Sequence, residues 1–177
     1  MSPTGWDARP RDVLVAPDQL QSATGHTGEW AMTLEVDVLR ASFQRALVRE
    51  PDLTRRFYER LFSSHPEARA LFRRNSPEVQ ERMLADALVA AMDHLEDAPW
   101  LQENLGRLGA RHAGYGVTPE MYGWVGDSLI ATLRDAASAD WTAEQEVAWG
   151  DLYAAVTQMM LAGHSAAWQT ARPQSAT

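Results

Sequence analysis

With 177 residues, 45% of them hydrophobic, the chain is long enough to enclose one sizeable core and is expected to form one main domain. Its net charge of −8 counts against nucleic acid or an anionic membrane surface as partner, because both are met through clustered Lys and Arg. The absence of cysteine removes disulfides, thiolate catalysis, zinc–thiolate sites and cysteine-ligated iron–sulfur clusters. Residues 1–32 are rich in Pro, Gly, Ser, Thr and Asp and show no sustained period, so they read as a largely irregular extension. Trp6 and Trp30 could dock part of it on the domain. The first residues, MSPTGWDARPRDVL, contain no apolar run of signal-peptide length, and a cytoplasmic location is expected.

Residues 33–170 read as helical throughout, and 171–177 as a disordered tail. The first helix, 34–49, carries Val38, Leu39, Phe43, Ala46 and Leu47 at helical spacing and is broken by Glu50-Pro51-Asp52. The second, 52–64, carries Leu53, Phe57, Leu61 and Phe62, with Tyr58 near the same face. Pro66 opens a short turn of helix ending at Leu71 and Phe72, and Arg73, Arg74 and Asn75 form a polar corner. Ser76, Pro77 and Glu78 supply a cap, a first-turn proline and an acid for a helix to about Glu96. Its stripe is Leu84, Leu88, Ala91 and Leu95, with Gln80 one turn before Leu84.

Leu101, Leu105, Leu108 and His112 share the face of the next helix, which Gly114 and Gly116 are expected to stop in left-handed conformations. Thr118 and Pro119 start another, to about Ala137, with Tyr122, Val125, Leu129 and Leu133 on one face. Thr142 and Gln145 have capping-box spacing. The last helix, to about Gln169, carries Trp149, Tyr153, Val156, Met160 and His164. The stretch 152–171 has no charged side chain, but Thr157, Gln158, His164, Ser165 and Gln169 interrupt it, so a buried helix of a soluble protein is expected rather than a membrane span. The sum is an all-α domain of about seven uneven helices, packed orthogonally rather than as a four-helix bundle.

Tyr58, Gln80 and His112 are polar residues on the inward faces of three of these helices. Each alone has a plain reading. A histidine on an apolar stripe is a core imidazole satisfied by a carbonyl, or a ligand; a buried tyrosine packs with its hydroxyl satisfied; a glutamine near a helix start is solvated. Together they suggest a pocket with a nitrogen ligand on one wall and two hydrogen-bond donors on the other. No carboxylate–histidine cluster, glycine-rich phosphate loop or GxSxG elbow points to another chemistry.

The run RFYERLFSSHPEARALFRRN, then Gln80, then LGARHAGYGVTPEMYGWVG, then AWGDLYAAVTQMM resembles the globins, in particular bacterial single-domain haemoglobins and the haem domain of flavohaemoglobins, over 34–168. The resemblance implies the globin fold, a haem b cofactor and His112 as the iron ligand. It makes Tyr58 and Gln80 the pair that stabilises a bound gas and Phe72 the residue that wedges the haem. Leu84, Leu88, Leu108, Val117, Val125 and Leu129 become pocket residues, and Arg111 either pairs with a haem propionate or is solvated. Tyr122 and His164 match the positions that support the proximal histidine, where His164 either accepts a hydrogen bond or simply caps a buried stripe near Trp168.

Two departures follow. Flavohaemoglobins place a glutamate where this chain has His164, and a neutral imidazole makes the proximal ligand less electron-donating than a carboxylate does. The corner from Phe72 to Gln80 is also slightly shorter than in the bacterial relatives. No flavin or nicotinamide domain follows within the chain, so re-reduction is expected to need a separate reductase. The implied activity is reversible dioxygen binding at a five-coordinate ferrous haem, since no histidine stands at the usual distal position. Nitric oxide and CO are further ligands, and the protein is expected to be a monomer or homodimer. The alternatives are a nitric-oxide dioxygenase with weak peroxidase activity, a gas sensor, or a haem-free module acting through helix contacts.

Overall fold

The computed structural model describes residues 35–171, so the expected extension over 1–32, with Trp6 and Trp30, and the tail beyond Ala171 lie outside the described residues. Six α-helices form: α1 (Val36–Arg49), α2 (Leu53–Ser64), α3 (Pro77–Asp93), α4 (Ala98–Gly114), α5 (Pro119–Ala137) and α6 (Ala143–Ala171). Short 3-10 segments, Pro66–Phe72 and Ser138–Asp140, interrupt the chain after α2 and α5, and no strand occurs among the described residues.

The helix starts follow from local chemistry. The Ser76 hydroxyl accepts from the Val79 N–H at 3.5 Å, and the Asp97 carboxylate accepts from the Trp100 N–H at 3.1 Å. Thr142 and Gln145 form the expected reciprocal pair, the Gln145 N–H donating to Thr142 Oγ1 at 3.2 Å and the Thr142 N–H to Gln145 Oε1 at 3.4 Å. One boundary differs from the sequence expectation. Gly114 stays within α4, and only Gly116 takes a positive φ, +86°. One left-handed residue is enough, because the Gly116 N–H bonds the Ala113 carbonyl at 3.0 Å and the Val117 N–H bonds the His112 carbonyl at 3.1 Å, a Schellman closure.

α1 packs across α5 and α6, α2 lies on α5, and α6 runs along α4. The main core joins Leu39, Phe43, Phe57, Leu61, Leu133 and Trp149. Trp149 is buried with its indole N–H donating to Ser42 Oγ at 3.0 Å, and that hydroxyl donates to the Leu39 carbonyl at 3.0 Å, so the largest core side chain leaves no polar atom unsatisfied. A second cluster, Leu101, Leu105, Tyr122 and Met160, lies between α4, α5 and α6 and meets the first at Val156.

The α4–α6 crossing is at backbone contact. A Cβ on Gly109 would stand 1.8 Å from the Met160 carbonyl oxygen, and one on Gly163 would stand 1.8 Å from that of Gly106. Gly109→Ala is therefore expected to destabilise by about 1–3 kcal/mol or more, because backbone rather than a flexible side chain has to give way. Gly106→Ala, whose Cβ meets nothing within 4 Å, is expected to stabilise by roughly 0.5–1 kcal/mol through helix propensity. Urea midpoints of the two variants read the contrast. Among the described residues no helix is long and apolar enough to cross a membrane, which agrees with the reading of 152–171 as a packed helix.

Candidate functional site

Helices α3 and α4 follow one another through a buried corner at Leu95 and Ala98, yet α3 rests on α2 while α4 rests on α6, and the two make little contact with each other. Their apolar stripes are left partly uncovered by the described residues. Within α3 only Met92 is buried; Leu84 and Leu88 are half-buried, as are Phe72, Leu108, Val117 and Val125 on the surrounding elements. Partial exposure shared by so many apolar side chains means a cleft, since an ordinary core would cover them.

On the α4 wall, His112 is half-buried, and its Nδ1 lies 2.8 Å from the Leu108 carbonyl oxygen. A carbonyl only accepts, so Nδ1 carries the proton and Nε2 carries the lone pair. The backbone of His112 is held as well, since its carbonyl receives the Val117 N–H of the Schellman closure. Burial pushes the imidazole below its ordinary pKa; the Leu108 bond opposes this, and nearby His164 adds to it. The ring is therefore neutral at pH 7. The unfolded chain protonates first as pH falls below about 6.5, so the ligand-free protein is expected to lose stability from there downward. Urea midpoints at pH 7 and pH 5 measure this, and His112→Gln is expected to flatten the difference.

Near His112 the meeting of α4, α5 and α6 assembles two more side chains. The Tyr122 ring centroid lies 6.3 Å from that of His112 and 6.4 Å from that of His164. His164 is 6% exposed. The Tyr122 hydroxyl is buried with no hydrogen-bond partner among the described residues, while its main-chain carbonyl accepts from the Tyr153 hydroxyl at 2.6 Å. The three expected proximal residues are thus brought together, but the hydrogen bond that orients His112 comes from Leu108. The sequence signal for that bond was available: in a helix an imidazole at position i reaches the carbonyl at i−4.

On the opposite wall Tyr58 packs in an aromatic group, edge-on to Phe72 at 5.5 Å and stacked on Phe62 at 5.7 Å. Phe62 and Phe72 are themselves 5.3 Å apart. The Tyr58 hydroxyl donates to the main-chain carbonyl of Gln80 at 3.3 Å, so the expected pair meets through backbone. Burial, with Glu81 adding, pushes this hydroxyl far above the usual tyrosine range, and it stays a proton donor at any physiological pH. Leu129 departs from the expected lining: it is buried inside the main core at 6% exposure, because α5 turns that face to α1 and α2. Arg111 is exposed in the last turn of α4. Two stacked pairs were not expected from sequence, His65 on Trp124 at 4.4 Å and His94 on Trp100 at 3.7 Å; both join residues distant along the chain or across a corner, which no local period reveals.

The donor set fits haem. One neutral imidazole with its lone pair directed away from its own helix, an apolar half-covered cleft and a protonated hydroxyl on the far wall suit an iron porphyrin. No group of three or more His, Cys, Asp or Glu that could hold a bare metal ion occurs among the described residues.

Comparison with known proteins agrees with this chemistry. The Globin family model matches residues 55–160. The chain is 30% identical over 113 residues to a flavohemoprotein of Vibrio cholerae and 31% identical over 121 residues to one of Bordetella pertussis. These stretches cover 63% and 67% of this chain but 29% and 30% of those proteins, so the chain spans under a third of the length of the relatives it matches. Among solved structures, a bacterial globin from Campylobacter jejuni aligns with TM-score 0.64 at 19% identity, covering 76% of this chain and 96% of that one. An engineered carbene transferase derived from a putative nitric oxide dioxygenase of Rhodothermus marinus aligns with TM-score 0.67 at 24% identity, covering 80% and 96%. At these identities the two structures speak to the fold alone.

Proposed function

The chain belongs to the globin family, and from that premise we propose that it holds haem b between α3 and α4 with His112 as the protein ligand and binds dioxygen reversibly. The observation that carries this reading is the His112–Leu108 bond, which leaves Nε2 as a fixed lone pair at the edge of an apolar cleft. When bound, the ferrous haem supplies the coordination position at which a diatomic gas is held.

The residues around it have separable tasks. His112 provides the nitrogen ligand, and the Leu108 carbonyl sets its ring orientation and tautomer. Phe72, Leu84, Leu88, Leu108, Val117 and Val125 cover the porphyrin faces and exclude water, which slows oxidation of ferrous iron. Tyr58 keeps its proton and, with Gln80, would supply hydrogen-bond donation to a polar ligand held in the cleft. Its present bond to the Gln80 carbonyl is long at 3.3 Å, so the hydroxyl exchanges partners at small cost. Behind His112 stand a tyrosine and a histidine rather than a carboxylate, so the proximal side withholds the anionic push that favours oxidative chemistry.

A second reading is nitric-oxide dioxygenation with electrons from a separate reductase. It is favoured by the flavohemoprotein relatives and by the Tyr58 hydroxyl, which suits either task. Absorption spectra of the haemin-reconstituted protein test the main proposal. A ferrous spectrum of five-coordinate type, shifting sharply with CO, is expected; a protein that stays colourless after haemin addition refutes it. Sustained nitrate formation with any added reductase decides for the second reading, and a single turnover does not.

A further inference from the structure

Leu84 and Leu88 give α3 an apolar side toward the cleft, but the opposite side of the same helix is not a plain solvated face. Met83 and Val89 are each 45% exposed there, with the Asn75 amide donating to Met83 Sδ at 3.8 Å. Among the helices α3 leans mainly on α2, and Met92 is its one buried residue. A helix that carries apolar residues all round is ordinarily covered all round. Arg82, Asp86 and Asp93 lie between Met83 and Val89 on this outer side. All three are exposed and have no ion-pair partner among the described residues, whereas Arg40, Arg49, Arg56, Arg60 and Arg134 each meet a carboxylate.

Helical geometry makes this outer side complementary to itself. Asp86 stands nearly opposite Leu84, at the middle of the face. Met83 and Val89 lie three residues before and after it, about 4.5 Å below and above and about 60° to either side. A two-fold axis through Asp86, perpendicular to the helix, reverses height and side together. It therefore sets Met83 of one copy against Val89 of the other, twice over. Arg82, four residues before Asp86, is carried to face Ala90, four residues after it, whose small side chain leaves room for the guanidinium. There Arg82 lies within a turn of Asp86 and Asp93 of the other copy. The two Asp86 carboxylates meet at the axis, flanked by an arginine from each copy.

We propose that α3 is a homodimer interface, in which two copies pair antiparallel through Met83 and Val89 with Arg82 of each copy held between Asp86 and Asp93 of the other. A face that matches its own rotated image in both apolar and charged positions is what an isologous contact requires. The interleaved charges also offset the repulsion that a net charge of −8 sets between copies. The pairing gives the wall that carries Leu84 and Leu88 a backing that α2 alone does not supply. It does not rest on the haem reading.

Sedimentation equilibrium of the full chain over a range of concentrations tests the interface. The unaltered protein is expected to dimerise. Arg82→Asp makes the face wholly acidic, and the double variant Asp86→Arg, Asp93→Arg makes it wholly basic. Each alone is expected to associate about 100-fold more weakly, because like charges then stand opposite one another. An equal mixture of the two should restore a dimer, since every acid then faces a base. Arg45→Asp, an exposed change on α1, should leave association unaltered. An unaltered chain that stays monomeric overturns the proposal and leaves the face to another occupant, such as residues 1–34. A dimer indifferent to Arg82→Asp overturns it by placing the contact on another surface, and so does a mixture that remains monomeric.

Discussion

His112→Gly is expected to lose haem on the order of 100-fold faster than the unaltered protein, and its ferrous spectrum should change from that of an imidazole-ligated haem. Partners that merely orient a ligating histidine are worth about 10–100-fold in affinity, so removing the ligand costs at least as much. The variant leaves the rest of the wall in place, because Leu101 and Leu105 carry the burial of α4 and the Gly109–Met160 contact sets its position. Folding should weaken only by about 1 kcal/mol, the usual penalty for glycine in a helix. Millimolar imidazole should restore the spectrum by filling the space the side chain left. Haem-loss kinetics and circular dichroism on one preparation separate ligand loss from unfolding. An unaltered ferrous spectrum in His112→Gly would remove His112 from the role assigned to it.

Tyr58→Phe is expected to release dioxygen about 10–100-fold faster, the equivalent of one hydrogen bond to a partly charged acceptor at roughly 1.5–3 kcal/mol. The substitution keeps the ring that packs on Phe62 and Phe72, so it isolates the hydroxyl. Stability should change by less than about 1 kcal/mol, because the bond lost in the ligand-free protein is the 3.3 Å contact to the Gln80 carbonyl. Release of CO, whose outer atom bears little charge, should change far less. The pH profile supplies a second check. Burial holds the Tyr58 proton in place, so dioxygen release from the unaltered protein should not vary with pH through ionisation of this group across the neutral range. Stopped-flow ligand displacement measures all three quantities, and a Tyr58→Phe rate within twofold of the unaltered one would move the gas-stabilising role elsewhere.

Helix after helix was legible because their starts and stripes are local. Ser76 and Thr142 cap their helices with their own side chains, and the spacing of Leu101, Leu105 and Leu108 declares one inward face. Of the two glycines expected to stop α4, only Gly116 is left-handed while Gly114 stays in the last turn, because a helix tolerates glycine there and the left-handed position is decided by where the closing hydrogen bonds fall. Leu129, made a pocket residue by the resemblance, lies in the main core instead. A period identifies an inward face but not whether that face meets core or cleft.

The site divides along the same line. That His112 sits on an apolar stripe, and that Tyr58 shares the apolar face of its helix, can be seen in residue order alone. What orients His112, and what stands behind it, cannot. The Leu108 carbonyl becomes its partner because the helix geometry of α4 brings i−4 within reach of the ring. His164 comes near Tyr122 because α6 packs on α5 as well as on α4.

By itself, the sequence determined the helices, their apolar faces and the identity of the one imidazole available on the α4 wall, since each follows from side chains a few positions apart. Tertiary structure alone decided that the stripes of α3 and α4 stand apart as a cleft, that the Tyr58 hydroxyl rests on a main-chain carbonyl, and that Arg74 reaches Tyr115 at the end of α4. Those relations join residues more than 20 positions apart, and only the packing of whole helices sets their distances.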